Sequence, residues 1–289
     1  MIPLLELNNV KKQFGTKPIL NNISLKVNDG DIIGVLGSNG AGKSTLFKII
    51  LGILHKDKGS IKFLEKSINK GSYTYKEDIG SVLDSMLLPG ELNLEKIGKI
   101  FSKVFKSWDQ VYFDDLIQKF ELPLKQKISE FSKGMSMKLS FAICMSHNPK
   151  LLIFDEATNG LDTHTKNFVL QEIENFKSKE NRAAILSSHI VDDLERIATK
   201  FIVISNGEIV INDSKENILN NYGIVKCKIE NLKKIENILV VKNIQNQLYV
   251  VTSDKNQDSL IGEVENITIE KLSDLIAIGD KSYEGTITK

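Results

Sequence analysis

The chain has 289 residues, a length typical of about two domains and enough to bury a core without disulfides. With 41% hydrophobic and 26% charged residues, the composition excludes a disordered chain. The 38 basic and 37 acidic residues leave a net charge of +1, so the total charge gives no reason to expect a nucleic-acid partner. Two cysteines cannot form a disulfide framework, which predicts a reducing compartment. We expect neither a signal peptide nor a membrane span, while a peripheral membrane role stays open.

The N-terminal third alternates in the way that β-strands do. Leu5 and Leu7 repeat with period two, as do Ile23, Leu25 and Val27, and a turn is predicted at residues 28–30. A short apolar strand is predicted over residues 32–36. It is followed by a glycine-rich loop and by a helix predicted over about 44–54.

The middle of the chain has the residue pattern of helices. Apolar residues at helical spacing predict two helices within residues 94–120. A third helix is predicted from Ser132 to the Asn148-Pro149 pair, which would end it.

Strands and helices then alternate, which indicates a parallel-sheet α/β core. Strands are predicted over 151–154, 183–187 and 201–204, a helix over about 163–178, and a hairpin turn at Asn206-Gly207. From about residue 213 the patterns shorten, with strand-like runs at 224–229, 238–241 and 248–251. We predict an α/β domain over 1–212 and a small α+β C-terminal segment over 213–289.

One segment matches the phosphate-binding motif G-x-x-x-x-G-K-[ST] in full. It is formed by Gly37, Ser38, Asn39, Gly40, Ala41, Gly42, Lys43 and Ser44. Glycines let backbone N–H groups point at phosphate oxygens, and the following helix adds its N-terminal partial charge. Lys43 would reach the β- and γ-phosphates, and the Ser44 hydroxyl would bind Mg²⁺. This motif alone leaves kinase, GTPase and helicase chemistry open.

A second acidic site follows the apolar strand at 151–154. Asp155 and Glu156 come directly after that strand, where ligands bind in doubly wound sheets. Asp155 would then lie by Mg²⁺, and Glu156 would deprotonate a water that attacks the γ-phosphate. The alternative is a pair of carboxylates that interacts with a helix dipole.

With these two sites in place, residues 4–212 resemble the ATP-binding subunit of ABC transporters. The resemblance also rests on further motifs that occur in the order of the family. Phe14 precedes the phosphate loop, and Phe131-Ser132-Lys133-Gly134-Met135 stands at the position of the family's signature motif. The D-loop runs from Ala157 to Asp162, and His189 follows the next strand. The resemblance implies that residues 1–212 form an ATP-binding cassette with a P-loop NTPase fold, which has a RecA-like core, an antiparallel β subdomain and a helical subdomain at about 85–147. It also implies ATP and Mg²⁺ as ligands.

The resemblance gives roles to individual residues. Catalysis is assigned to Glu156, His189 and Lys43, and the metal to Ser44, Asp155 and Asp84. The nucleotide would be bound by Phe14, Gly37, Ser38, Asn39, Gly40, Ala41, Gly42, Lys43, Ser44, Thr45, Ser132, Lys133, Gly134, Met135 and Asp162. In this family the signature residues contact the ATP of a second subunit, so two cassettes enclose two ATP molecules.

The sequence departs from the family pattern at two positions of interest. Lys133 replaces a glycine of the signature, and Asp84 stands where the family has the glutamine of the Q-loop. A carboxylate is still a hard oxygen ligand for a metal. With an acidic residue at this position, the sequence resembles one branch of the ABC-2-type exporters, which includes those for bacitracin, lantibiotics and phenol-soluble modulins.

The predicted function is therefore an ATPase that powers an exporter of amphipathic or antimicrobial peptides at the cytoplasmic face of the membrane. Its partners would be an ABC-2-type transmembrane permease and a second ATP-binding subunit, identical or not, with no nucleic acid. One alternative is an ABC ATPase that acts on ribosomes or DNA. Others are a non-hydrolysing ATP-binding interaction subunit and an importer ATPase.

Overall fold

The computed structural model describes residues 2–68, 71, 73–85, 88–156, 158–235, 237–244, 247–255 and 263–277. Its strands are β1 (Leu5–Phe14), β2 (Lys17–Val27), β3 (Ile32–Leu36), β4 (Lys58–Phe63), β5 (Lys66–Ser67), β6 (Ile79–Val82), β7 (Leu151–Asp155), β8 (Ala183–Ser187), β9 (Lys200–Ser205), β10 (Glu208–Ser214), β11 (Gly223–Cys227), β12 (Ile238–Ile244), β13 (Gln247–Thr252) and β14 (Glu263–Asn266). Its α-helices are α1 (Lys43–Ile50), α2 (Leu94–Val104), α3 (Gln110–Lys119), α4 (Lys133–Ser146), α5 (Thr163–Lys177), α6 (Val191–Ile197), α7 (Lys215–Asn221) and α8 (Ile269–Ala277).

A six-stranded sheet in the order β10-β9-β3-β8-β7-β6 forms the centre. Strands β9, β3, β8, β7 and β6 run parallel, and β10 closes one edge as an antiparallel hairpin partner of β9. Successive residues of each strand alternate between two apolar cores: Leu152 and Phe154 belong to one, Leu151 and Ile153 to the other. This period-two division explains why these strands are apolar throughout.

An antiparallel sheet in the order β2-β1-β4-β5 encloses the second of these cores together with α1. Helices α2, α3 and α4 lie between β6 and β7 in the chain and contribute to the first core. Side chains cap all three helices: Asn93, Asp109 and Ser132 each accept a hydrogen bond from a backbone N–H of the first turn. The predicted α/β architecture of the cassette is therefore confirmed.

Beyond residue 214, α7 precedes a third antiparallel sheet in the order β12-β13-β11-β14, and α8 follows it. Ile224, Val251 and Leu272 of this segment are buried in the same apolar core as α5 and α6. The segment therefore packs against the central sheet's helices. The domain boundary at residue 212 stays a prediction, and residues 278–289 lie outside the described part of the chain.

Several sequence-based boundaries were wrong. The first helix ends at Ile50 rather than near residue 54, because the chain turns at Gly52 with a φ of 66°. The strand predicted over 224–229 ends at Cys227, and a 3₁₀ turn over Ile229–Lys234 follows it. The individual spans of β4, β5 and α8 were not predicted. Within the described residues, no helix has the length and apolarity needed to cross a membrane.

Candidate active site

The parallel register brings the chemically active residues to one edge of the central sheet. Val35 of β3 pairs with Ser187 of β8, and Asp155 of β7 pairs with the same Ser187. The phosphate loop follows β3, and His189 follows β8. Because all of these strands end at the same edge, the loops that follow them meet there.

The phosphate loop wraps around the Lys43 ammonium. Nζ donates hydrogen bonds to the carbonyl oxygens of Gly37 at 2.5 Å and Ser38 at 3.2 Å. Burial lowers the pKa of the Lys43 ammonium, and the nearby carboxylates of Glu156 and Asp155 oppose that change. The two predicted motifs are therefore close enough to interact electrostatically.

Gly42 shows why this loop needs glycine. It precedes α1 with a φ of 111°, and a Cβ there would lie 2.6 Å from a methyl carbon of Leu20 and 3.0 Å from the carbonyl oxygen of Ile19. An L-residue would be both strained and in collision with β2. The loop consequently packs directly against β2.

A cavity of about 880 Å³ opens over the loop. Its lining includes Gly37, Ser38, Asn39, Gly40, Ala41 and Lys43, with Ser188 and His189 from the loop after β8 and Lys17, Pro18 and Ile19 from β2. Phe14 lies outside this lining, half exposed, with the Lys12 ammonium 5.4 Å from its ring centre. Ser44 and Thr45 lie in the first turn of α1, where Ser44 is exposed.

Asp155 is held in one orientation by its neighbour on β8. The Ser187 hydroxyl donates a 2.7 Å hydrogen bond to Oδ1 of Asp155, which is only 6% exposed. In the described part of the chain, no group of three or more His, Cys, Asp or Glu side chains could hold a metal ion. Mg²⁺ in nucleotide sites usually takes one or two carboxylates together with phosphates and water. The oxygen donors of Asp155 and Ser44 fit that requirement.

The Glu156 carboxylate is fixed at both oxygens. Oε1 is 2.7 Å from Nε2 of His189, and Oε2 accepts a 3.0 Å hydrogen bond from the Asn159 side-chain amide. The backbone of Glu156 has a φ of 58°, a conformation that costs a non-glycine residue about 1–2 kcal/mol. Its N–H is satisfied by Ser187 of β8. Such strain at a held carboxylate is characteristic of functional sites.

The signature residues lie together at the start of α4, outside the lining of the phosphate-loop cavity. Ser132 caps the helix by accepting a hydrogen bond from the N–H of Met135. Gly134 lies against the D-loop, since a Cβ there would be 3.0 Å from the carbonyl oxygen of Gly160. Met135 packs partly buried against the core.

Asp162 ends the D-loop and caps α5. Its carboxylate accepts hydrogen bonds from the backbone N–H and the hydroxyl of Thr165, which lower the pKa of Asp162 to about 2. Lys138 of α4 lies 3.7 Å away. Ala157, at the start of the D-loop, lies outside the described residues.

The two departures from the family pattern pair with each other. Nζ of Lys133 lies 2.8 Å from Oδ1 of Asp84, and both side chains are more than half exposed. The pKa of the Lys133 ammonium is raised, first by Asp84 and to a smaller extent by Glu156. In this conformation Asp84 has a cationic partner on α4.

Sequence reasoning missed some residues at this site. Ser187 and Asn159 orient the two carboxylates. Both lie in segments that the sequence predicts, the strand over 183–187 and the D-loop, but neither was given a role from the sequence. Ser273 and Asp274 of α8 line the phosphate-loop cavity more than 200 positions later in the chain. Their contribution depends on tertiary packing, for which the sequence carries no motif.

Comparison with known proteins agrees with this geometry. Residues 20–159 match the ABC transporter family. The lantibiotic transport ATP-binding protein SrtF of Streptococcus pyogenes is 33% identical over 220 residues, covering 74% of this chain and 94% of SrtF. The bacitracin transport ATP-binding protein BcrA of Enterococcus faecalis is 32% identical over 215 residues, covering 72% of this chain and 68% of BcrA.

A solved structure of an ATP-binding subunit of an ABC transporter superposes with a TM-score of 0.69 at 26% identity, over 74% of this chain and 91% of that one. The fold is also shared with a dimeric ATP-binding cassette bound to ADP and Pi, which is 20% identical with a TM-score of 0.65 over 73% of this chain and 98% of that one. The chain therefore belongs to the ATP-binding proteins of ABC transporters, and it is an ATPase.

Proposed function

We propose that this ATPase powers a separate transmembrane exporter of amphipathic or antimicrobial peptides, at the cytoplasmic face of the membrane. The names of SrtF and BcrA, which are transport proteins for a lantibiotic and for bacitracin, support the substrate class. The acidic Asp84 supports the same branch. The observation that carries the proposal is the Glu156 carboxylate, held at both oxygens beside the phosphate-loop cavity.

The phosphate loop and Lys43 bind the triphosphate. Backbone N–H groups of the loop and the N-terminus of α1 face its oxygens, and the Lys43 ammonium exchanges its carbonyl partners for phosphate oxygens. Phe14 supplies an aromatic face for adenine. The Ser44 hydroxyl, Asp155 and Asp84 would hold Mg²⁺, which supplies charge neutralisation at the phosphates when bound.

Glu156 is the general base. It takes a proton from a water whose oxygen attacks the γ-phosphorus, and the bond from that phosphorus to the bridging oxygen breaks, which releases ADP. His189, half exposed and hydrogen-bonded to Glu156 through Nε2, orients the carboxylate before ATP binds, and its ring N–H donates to the γ-phosphate instead once ATP is bound. The Asp155 carboxylate stays fixed by Ser187 throughout.

A second cassette, identical or not, completes each site. Ser132, Lys133, Gly134 and Met135 would face the ATP of that partner from the N-terminus of α4, and Asp162 would lie at the interface. An ABC-2-type permease would dock on the surface between the central sheet and α2–α3. We assign residues 1–212 to the cassette and 213–289 to an accessory segment.

The proposal is tested by trapping the complex. A tagged Glu156→Gln chain should bind ATP without hydrolysing it, and thereby hold its partners during purification from detergent-solubilised native membranes. Lys43→Ala, which lacks the phosphate-binding ammonium, is the matched control. We expect a polytopic membrane protein with Glu156→Gln and ATP, and little of it with Lys43→Ala.

Two results would contradict the proposal. Recovery of ribosomal proteins or DNA without a membrane protein would favour an ATPase of ribosomes or nucleic acid. A permease whose genetic neighbours and transport assays indicate uptake would favour an importer.

A further inference from the structure

The ion pair between Asp84 and Lys133 connects two structural units at the catalytic edge. Asp84 follows β6, the edge strand of the central sheet, and Lys133 is the first residue of α4. Their charged atoms are 2.8 Å apart, the distance of a charge-assisted hydrogen bond. The pair therefore joins the helical region to the sheet beside the ATP site.

The register of the sheet places Asp84 with the catalytic carboxylates. Val82 of β6 pairs with Phe154 of β7, so Asp84 and Glu156, each two residues further on, follow neighbouring strands at the same edge. Nζ of Lys133 lies 2.8 Å from Oδ1 of Asp84, so the ammonium is at the same edge. Three carboxylates, those of Asp84, Asp155 and Glu156, thus share one edge with the Lys133 ammonium.

The Lys133 ammonium and a metal ion can each bind the carboxylate of Asp84. Oδ1 of Asp84 is hydrogen-bonded to Lys133, and the same type of oxygen is a ligand for Mg²⁺. Both side chains of the pair are more than half exposed, and exposed pairs are weak enough to exchange partners.

We propose that Lys133 is a positioning residue that competes with the divalent cation for Asp84 and so sets the cation requirement of nucleotide binding. This inference rests on the metal-binding role of Asp84 within the proposed function. Without cation, Lys133 holds Asp84 on the α4 side. When the cation binds with the nucleotide, Asp84 leaves Lys133. The freed ammonium can then turn to a phosphate of the ATP that it faces in the second cassette.

The test measures cation binding rather than turnover. Mn²⁺ replaces Mg²⁺ as a paramagnetic probe, and its free concentration is followed by electron paramagnetic resonance in the presence of ADP and the full chain. We expect Lys133→Gln to bind Mn²⁺ about twofold to fivefold more tightly than the parent, the range set by an exposed ion pair. Asp84→Asn should bind it more weakly.

The double variant distinguishes the effect of the ion pair from the effect of the Lys133 charge on the electrostatic potential of the whole site. In the Asp84→Asn chain, a further Lys133→Gln change should leave Mn²⁺ affinity unaltered, because the competitor has lost its target. Lys127→Gln is the matched control: its pair with Glu91 has a similar length, 2.7 Å, and is also exposed. Its Mn²⁺ affinity should equal the parent's.

Each failure has its own meaning. Parental Mn²⁺ affinity in Lys133→Gln, or a gain that persists fully in the Asp84→Asn chain, overturns this inference alone. Parental affinity in Asp84→Asn shows that Asp84 is no metal ligand and overturns the inference with that part of the proposed function. A parent chain that binds no Mn²⁺ with ADP overturns both entirely.

Discussion

The ion pair between Lys166 and Asp193 joins the helix after the D-loop to the helix after His189. Nζ of Lys166 on α5 is 2.8 Å from Oδ1 of Asp193 on α6, and the two side chains are 22% and 7% exposed. The other carboxylate oxygen of Asp193 is buried without a hydrogen-bond partner. Lys166 is thus the counter-charge on which this buried carboxylate depends.

We predict that Lys166→Met destabilises the chain by about 2–4 kcal/mol. Breaking a fully buried pair costs about 3–5 kcal/mol, and the partial exposure of Lys166 lowers that figure. At about 3 °C per kcal/mol for a chain of this size, the melting temperature should fall by about 6–12 °C. Differential scanning calorimetry measures this fall directly.

A second variant isolates the uncompensated charge. Adding Asp193→Asn to Lys166→Met should restore more than half of the lost stability, since no buried charge remains. As a control, Arg196→Gln breaks the exposed Arg196–Asn167 hydrogen bond between the same helices and should change stability by less than about 0.5 kcal/mol. A Lys166→Met chain that melts within 1 °C of the parent would refute the reasoning.

Three further predictions concern catalysis, pH and the cavity wall. Asn159→Ala removes one of the two contacts that hold Glu156, so kcat should fall about threefold to tenfold while ATP binding, measured by calorimetry, is unchanged; an unchanged kcat would contradict this. Burial lowers the pKa of His147 from 6.5 to about 4. The folded state therefore favours neutral imidazole, and about 3 kcal/mol of stability present above pH 6.5 should be lost as the pH falls towards 4. His147→Phe should remove that part of the pH dependence in urea titrations, and an identical pH profile would contradict it. Asp274→Trp should weaken ATP binding about tenfold by filling the cavity. Glu270→Trp, exposed on the same helix and outside the lining, should leave ATP affinity at the parental value, and equal affinity in both variants would refute the role of α8.

The inner strands of the central sheet were predictable because they are short, mainly apolar runs separated by helices. Ile32–Leu36, Leu151–Asp155 and Ala183–Ser187 are fully buried in the structure, as their composition requires. Strand β4 buries only Ile61 and Phe63, and β5 consists of two exposed residues, Lys66 and Ser67, so neither has an apolar pattern long enough to distinguish it from a loop. Helix α8 is short, and its burial depends on a partner helix far away in the sequence.

The site was predictable to the extent that its chemistry is local. The phosphate loop is one continuous segment, and its backbone conformation requires glycine at fixed places, so the motif carries its own structure. The partner of Asp84 was not predictable, because Lys133 lies 49 positions later and is brought to it only by the packing of α4. Likewise, the pairing of Asp155 with Ser187 follows from the register of two strands.

The fate of bound ATP tests the central claim, that Glu156 is the base for hydrolysis, most directly. ATP labelled in the γ-phosphate is mixed with excess chain in a single turnover, and intact ATP is followed with time. The parent and the control Glu180→Gln, an exposed glutamate, should release labelled phosphate, while Glu156→Gln should be slower by about 100-fold or more and keep ATP bound. Release of phosphate by Glu156→Gln at the parental rate would contradict the account.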